Sequence, residues 1–165
     1  MPNQARWFAA AAAIVVADQL VKWIVLARFA PGERLELAGF LNLVLVFNKG
    51  AAFSFLAGES GWQTPLLAGF ALIAAVVLVV LIIKNPDKAL LSSGLTLVLG
   101  GAIGNVIDRL RFGHVVDFVD LHAAGWHWPA FNVADSAICI GIALLFFDMR
   151  KKPEEQPAIT PETAS

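Results

Sequence analysis

Charge is scarce in this chain. Of its 165 residues only 15% are Asp, Glu, Lys or Arg, while 58% are apolar and the mean hydropathy is +0.72. Soluble proteins carry about 25% charged residues. A domain of this size has too much surface for so few charges to cover in water, so part of that surface faces lipid. The same composition excludes disorder for most of the chain. Neither sign of charge is in excess. A net charge of −1 and a pI near 6.3 leave no basic patch for nucleic acid. A single cysteine, Cys139, excludes an internal disulfide and a thiolate zinc site, and on an apolar helix without a nearby base it reads as a packing thiol. No phosphate-binding loop of the form G-x-x-x-x-G-K-[ST] occurs. The lack of an internal repeat tells against an inverted-repeat transporter. His122 and His127 stand in what reads as an exposed loop with no metal-ligand pattern around them, and Ser136 has no histidine in its motif.

What is present in quantity is long apolar sequence. A helix needs about 20 apolar residues to cross a hydrocarbon core roughly 30 Å thick, and four stretches qualify: residues 7–27, 66–83, 89–107 and 131–147. The second and third contain no charge, the first is interrupted by Asp18, Gln19 and Lys22, and the fourth contains Asn132 and Asp135. The charges in the first, and the absence of a small-residue cleavage site after it, separate it from a signal peptide. The pattern predicts one polytopic membrane domain over residues 1–149 and a short polar, disordered tail over 150–165. The turn at 84–88 (KNPDK) makes the second and third spans an antiparallel hairpin. The long link 28–64 contains a branched run at 41–47 that reads as a strand ending at the turn-like Asn48-Lys49-Gly50. Residues 51–56 (AAFSFL) fit a second strand or a short interfacial helix equally well. The link 110–130 reads as an outer loop, with Trp126 and Trp128 suited to the membrane–water interface. Three adjacent cations after the fourth span, Arg150, Lys151 and Lys152, predict cytoplasmic termini.

An ionisable residue inside a membrane helix costs about 2.5–3.5 kcal/mol at its centre on insertion scales, and marks function by default. Asp18 and Lys22 lie at i, i+4 on one face of the first span. They suit an intramembrane ion pair holding helices together, with direct catalysis as the alternative. Gly100 and Gly104 form a small-xxx-small pair for close helix approach, and Asn105, Asp108 and Arg109 make the end of the third span polar on one side. Asp117 follows, flanked by Val115, Val116 and Phe118, which is unusual for a solvated loop acid. Asp135 sits about 6 Å into the fourth span, one turn too deep for a cap by that boundary. If the third span starts inside at Ala89, Asp108 lies about 28 Å away at the outer face, Asp117 follows there, and Asp135 re-enters from the same side. Two close carboxylates share a proton, so one acts as base and the other as acid. That is the chemistry of aspartyl proteolysis. A small membrane ion or proton carrier is the competing reading, but its acids would line a path through the bilayer. A structural or lipid-binding protein would have no use for two such aspartates at one boundary.

Assembled in order, Asp18-Gln-Leu-Val-Lys22, Asn48-Lys-Gly-Ala-Ala-Phe53, Gly100-Gly-Ala-Ile-Gly-Asn-Val-Ile-Asp-Arg109, Val116-Asp117-Phe118 and Phe131-Asn-Val-Ala-Asp-Ser136 resemble the motifs of bacterial lipoprotein signal peptidase, or signal peptidase II. The resemblance implies an all-α membrane protein of four transmembrane helices, with a small β-rich cradle and an interfacial helix on the outer face. It implies an aspartyl endopeptidase of the bacterial inner membrane that cuts diacylglyceryl-modified prolipoproteins just before the lipidated cysteine. By motif, Asp117 and Asp135 are the catalytic dyad, while Asn48, Gly50, Asn105, Arg109 and Asn132 position substrate or support the dyad. Asp18, Lys22, Gly104 and Asp108 are structural. No metal or organic cofactor is implied. The partners are prolipoproteins and membrane lipids rather than nucleic acid, and the chain is expected to act as a monomer.

Overall fold

The computed structural model describes residues 2–50 and 62–150. The elements follow in the order α1 (Pro2–Arg28), β1 (Arg34–Ala38), β2 (Leu41–Asn48), α2 (Gln63–Lys84), α3 (Ala89–Phe112), β3 (Val115–Ala123), β4 (Trp126–His127) and α4 (Val133–Met149). The described residues are mostly helical, with one small antiparallel sheet in the order β1-β2-β3-β4. Among the described residues, three helices are long and apolar enough to cross a membrane: 4–28, 64–84 and 89–112. Their outward faces carry Leu20, Trp23, Phe70, Ile73 and Val76 with half or more of their surface exposed, an arrangement suited to lipid rather than water.

Helix α3 is the central element and packs on α1, α2 and α4. Its glycines make this possible. A Cβ on Gly101 would strike the Ala134 carbonyl oxygen of α4. One on Gly100 would lie 2.9 Å from Ile14 of α1, and one on Gly104 would lie 2.7 Å from the Asp18 carboxylate. The small-residue face therefore brings the backbones together and also leaves room for a buried charge.

At one end of the bundle, Trp7 Nε1 donates to the Pro86 carbonyl (2.9 Å) and Gln4 Nε2 to that of Ile83 (3.0 Å). The start of α1 thus lies against the α2–α3 turn. Leu145, late in α4, reaches Gly94, early in α3, at the same end. The opposite end gathers the end of α1, the end of α3, the start of α4 and the sheet. There Val25, Leu45, Val116 and Phe118 form a buried cluster that fastens the sheet to α1.

Element boundaries differ from the sequence reading, most of all after residue 107. Helix α3 runs on to Phe112, where Gly113 at φ +75° ends it, with Leu110 and Phe112 continuing the apolar pattern beyond Asp108 and Arg109. The link 110–130 is not a loop: β3 pairs with β2, and His122 faces His127 across β3 and β4. Valine and phenylalanine around Asp117 favour a strand. The segment 51–56, left open between strand and interfacial helix, and the tail from 151 lie outside the described residues.

The glycine contacts carry a testable consequence. Gly101→Ala should destabilise the protein by about 1–3 kcal/mol, the usual cost of overpacking. Gly69→Ala in α2, where no atom lies within 4 Å of the added Cβ, should be neutral or stabilising by up to about 1 kcal/mol. Thermal melting in detergent checks both, and equal melting temperatures for the two variants would contradict the packing account.

Candidate active site

The site is built outward from a buried ammonium. Lys22 Nζ lies 2.8 Å from Asp18 Oδ2 and 2.7 Å from Asp108 Oδ2, and donates to Asn105 Oδ1 at 3.0 Å. All three charged groups are essentially inaccessible. The aspartates spread the cluster to other elements. Asp18 Oδ1 accepts from the backbone N–H of Ala134 at the start of α4 (2.9 Å), and Asp108 Oδ2 accepts from that of Val116 in β3 (3.1 Å). Gln19 bridges the two acids, donating to Asp108 Oδ1 at 2.8 Å and to Asp18 Oδ2 at 3.3 Å. Sequence reasoning gave Gln19 no role, although an amide beside an acid in an apolar span was a usable signal.

Two further carboxylates stand above this cluster. Asp117 is buried in β3, where Val46 of β2 is its register partner. Asn48, two residues along β2, reaches diagonally to donate to Asp117 Oδ2 at 3.0 Å. Asn132 Nδ2 donates to Asp117 Oδ1 at 2.7 Å and to Asn105 Oδ1 at 3.2 Å, while Asn105 Nδ2 donates to Asp135 Oδ1 at 2.7 Å. Two asparagines therefore connect the two acids. Asp135 is not too deep to cap: α4 begins at Val133, so Asn132 is the N-cap and Asp135 the third helical residue. Asn132 Oδ1 accepts the Asp135 N–H (2.8 Å) and Asp135 Oδ2 accepts the Asn132 N–H (3.2 Å), a reciprocal capping box. The box uses Oδ2 and leaves Oδ1 on Asn105.

Burial, and then the charge of Asp135, push the Asp117 carboxyl up from 3.8 to about 7, against the hydrogen bonds from Asn48 and Asn132. A proton thus remains available near neutral pH in a site rich in acceptors.

Arg109 is placed differently from a free substrate clamp. Its Nη2 donates to the Gly50 carbonyl at 3.1 Å, and the Gly50 N–H donates to Asn48 Oδ1 at 3.0 Å. The 48–50 turn is thereby tied to the end of α3, and Arg109 Nε has no partner among the described residues. Asn48, Gly50, Asn105, Arg109, Asn132, Asp117 and Asp135 all belong to this one network, and Gly104 lies beneath it against Asp18.

A second cluster went unnoticed in the sequence. Asp120 of β3 accepts from Asn42 Nδ2 of β2 (2.8 Å), meets His127 Nδ1 of β4 (2.8 Å) and has Arg34 of β1 at 3.7 Å. One carboxylate holds all four strands. Burial works against its charge, but the bonds from Asn42 and His127 outweigh this and hold the carboxyl below its ordinary range.

Comparison with known proteins gives the family and the fold. Residues 10–151 match a family model described as signal peptidase (SPase) II. The lipoprotein signal peptidase of Janthinobacterium sp. (strain Marseille) is 51% identical over 142 residues, 86% of each chain. That of Paraburkholderia phymatum is 51% identical over 144 residues, 87% of each. Two solved structures of bacterial membrane enzymes are each 30% identical. One superposes with a TM-score of 0.79 over 92% of this chain and 95% of that one, the other with 0.80 over 90% and 95%.

The Asp117 environment gives a pH test. Unfolded, this carboxyl ionises near 3.8; folded, near 7. Between these values the folded state keeps a proton that the unfolded state has lost, so this group's contribution falls as pH rises, and its cost is complete above about pH 7. Asp117→Asn cannot ionise there. Its melting temperature relative to wild type should therefore rise between about pH 5 and about pH 8, and a difference independent of pH would contradict the shift.

Proposed function

The chain belongs to the signal peptidase II family, and on that footing we propose that it is an aspartic endopeptidase with Asp117 and Asp135 as its catalytic pair. The observation that carries the reading is the hydrogen-bonded chain Asp117–Asn132–Asn105–Asp135, buried up to the half-buried Asp135. The substrate is a prolipoprotein bearing a diacylglyceryl group on a cysteine, and the bond cut lies just before that cysteine. The acyl chains hold the cysteine at the membrane surface, where a dyad at the outer boundary meets the bond without extracting the lipid.

In the resting pair Asp117 holds the shared proton. Asp135 takes a proton from water as the water oxygen attacks the scissile carbonyl carbon, and Asp117 protonates the carbonyl oxygen, giving a tetrahedral diol. Collapse returns a proton to Asp117 and breaks the C–N bond. The proton on Asp135 passes to the departing cysteine nitrogen, so both carboxyls regain their starting states. Asn48 and Asn132 orient Asp117, Asn105 orients Asp135, and Arg109 secures the turn carrying Asn48 and Gly50. A carrier reading fits less well, because the acids gather at one end of the bundle instead of following a path across it.

Helix α4, with 17 residues, is about 26 Å long, and we read it as a fourth crossing with modest bilayer thinning. The contact of α1 with the α2–α3 turn and the cations from Arg150 onward support cytoplasmic termini and an outward-facing dyad; we further propose residence in the bacterial inner membrane, as a monomer.

Asp117→Asn and Asp135→Asn should each abolish conversion of a lipidated prolipoprotein, at least 10³-fold, while the variants remain folded by melting. The double variant should be little worse than either, because the pair acts as a unit. Asp18→Asn should lose stability and keep residual turnover. Near-normal cleavage by either dyad variant would sink the assignment. For the topology, reporters fused within 84–88 and at the C-terminus should both be active only as cytoplasmic reporters; an external signal at either would overturn it.

A further inference from the structure

The cluster beneath the dyad does more than hold helices together. Two protons of the Lys22 ammonium meet Asp18 and Asp108, which suffices to neutralise a buried cation. The third goes to a neutral group, Asn105 Oδ1, at 3.0 Å. That bond decides which way the Asn105 amide points. With Oδ1 facing Lys22 and Asn132 Nδ2, its Nδ2 must face Asp135 Oδ1, as found at 2.7 Å. The reverse orientation would set an NH2 group against an ammonium and another NH2, and a carbonyl against a carboxylate. We infer that Lys22 is a positioning residue for catalysis: by fixing the Asn105 amide, it makes an N–H donor face the Asp135 carboxylate. This rests on Asp117 and Asp135 being the catalytic pair.

The charged groups facing Lys22 and its chain of bonds are Asp18 from α1, Asp108 and Arg109 from α3, Asp117 from β3 and Asp135 from α4. Without the Lys22 donor only Asn132 Nδ2 still holds Asn105 Oδ1, and the amide turns its carbonyl toward Asp135 in part of the population, a pairing that only the protonated carboxyl satisfies. Ionisation of the pair then requires a higher pH. The acid limb of the pH–rate profile reports that ionisation. A residue that served packing alone would lower the amount of folded enzyme without moving the limb.

Lys22→Met alone leaves two buried anions without their cation, and such variants fail to fold in many proteins. The test therefore uses Lys22→Met/Asp108→Asn, which removes one cation and one anion together, beside Lys22→Gln/Asp108→Asn, whose new amide can donate to Asn105 Oδ1. Cleavage of lipidated prolipoprotein is measured against pH, per folded enzyme as titrated by melting. The methionine form should show its acid limb displaced upward by about one pH unit, corresponding to a tenfold change in the ionisation constant. Its kcat at neutral pH should fall with KM within about twofold of wild type. The glutamine form should recover more than half of the displacement. Identical limbs in wild type and both double variants, with dyad variants inactive, would overturn the Lys22 role while leaving the dyad intact. Retained cleavage by Asp117→Asn would overturn the dyad itself.

Discussion

An ammonium group taken out of water needs acceptors for all three of its protons, and Lys22 meets that need with Asp18, Asp108 and Asn105. Removing either aspartate would leave charge uncompensated in an apolar interior, at a cost of about 3–5 kcal/mol, and losing Asn105 would leave a donor unsatisfied. The acceptors come from α1 and α3, and the two aspartates also accept from the backbone of α4 and β3, Asp18 through its other oxygen and Asp108 through the same Oδ2 that meets Lys22. A single buried charge therefore sets the relation of three helices and a strand. Gly104 is part of the same requirement, since any Cβ there would displace the Asp18 carboxylate.

The polar network and the glycine contacts depend on each other. Close approach of α3 to α1 and α4 brings Lys22, Asn105 and Asn132 within hydrogen-bond distance. Apolar packing in lipid offers no hydrophobic drive between helices, so backbone proximity and polar bonds must supply the association. The same exclusion of water that makes the cluster costly to assemble raises the Asp117 carboxyl to about 7. One physical condition thus secures the fold at this end and holds a proton near neutrality beside a second acid.

The sheet has its own organising charge. Asp120 gathers side chains from all four strands, three residues along β3 from Asp117. Val116 and Phe118, between and beside them, are buried against α1. Strand β3 is therefore held from the bundle by its apolar side chains and by Asp108, and within the sheet by Asp120. A rigidly held strand suits the proposed role of Asp117, in which the carboxyl keeps its geometry through a reaction.

Much of this was legible from residue types and spacing. Long apolar runs determined the helices, because a lipid-facing helix must be apolar all around. Charges inside those runs marked the site, because lipid makes them costly unless they are paired. The order of five short motifs indicated the family. Other features were decided only in three dimensions. The boundary of α4, and with it the capping role of Asp135, depends on where Asn132 finds its partners, which are distant in sequence. The conversion of the 110–130 link into strands depends on pairing with β2, some 70 residues earlier. The Asp120 cluster joins four separate segments, none of which carries a local pattern. Gln19 was visible as a polar interruption, but its bridge to Asp108 spans 89 positions. Composition and periodicity act along the chain and are read there; hydrogen-bond partners and carboxyl protonation depend on which distant groups share a small volume from which water is excluded, and only the tertiary structure determines that.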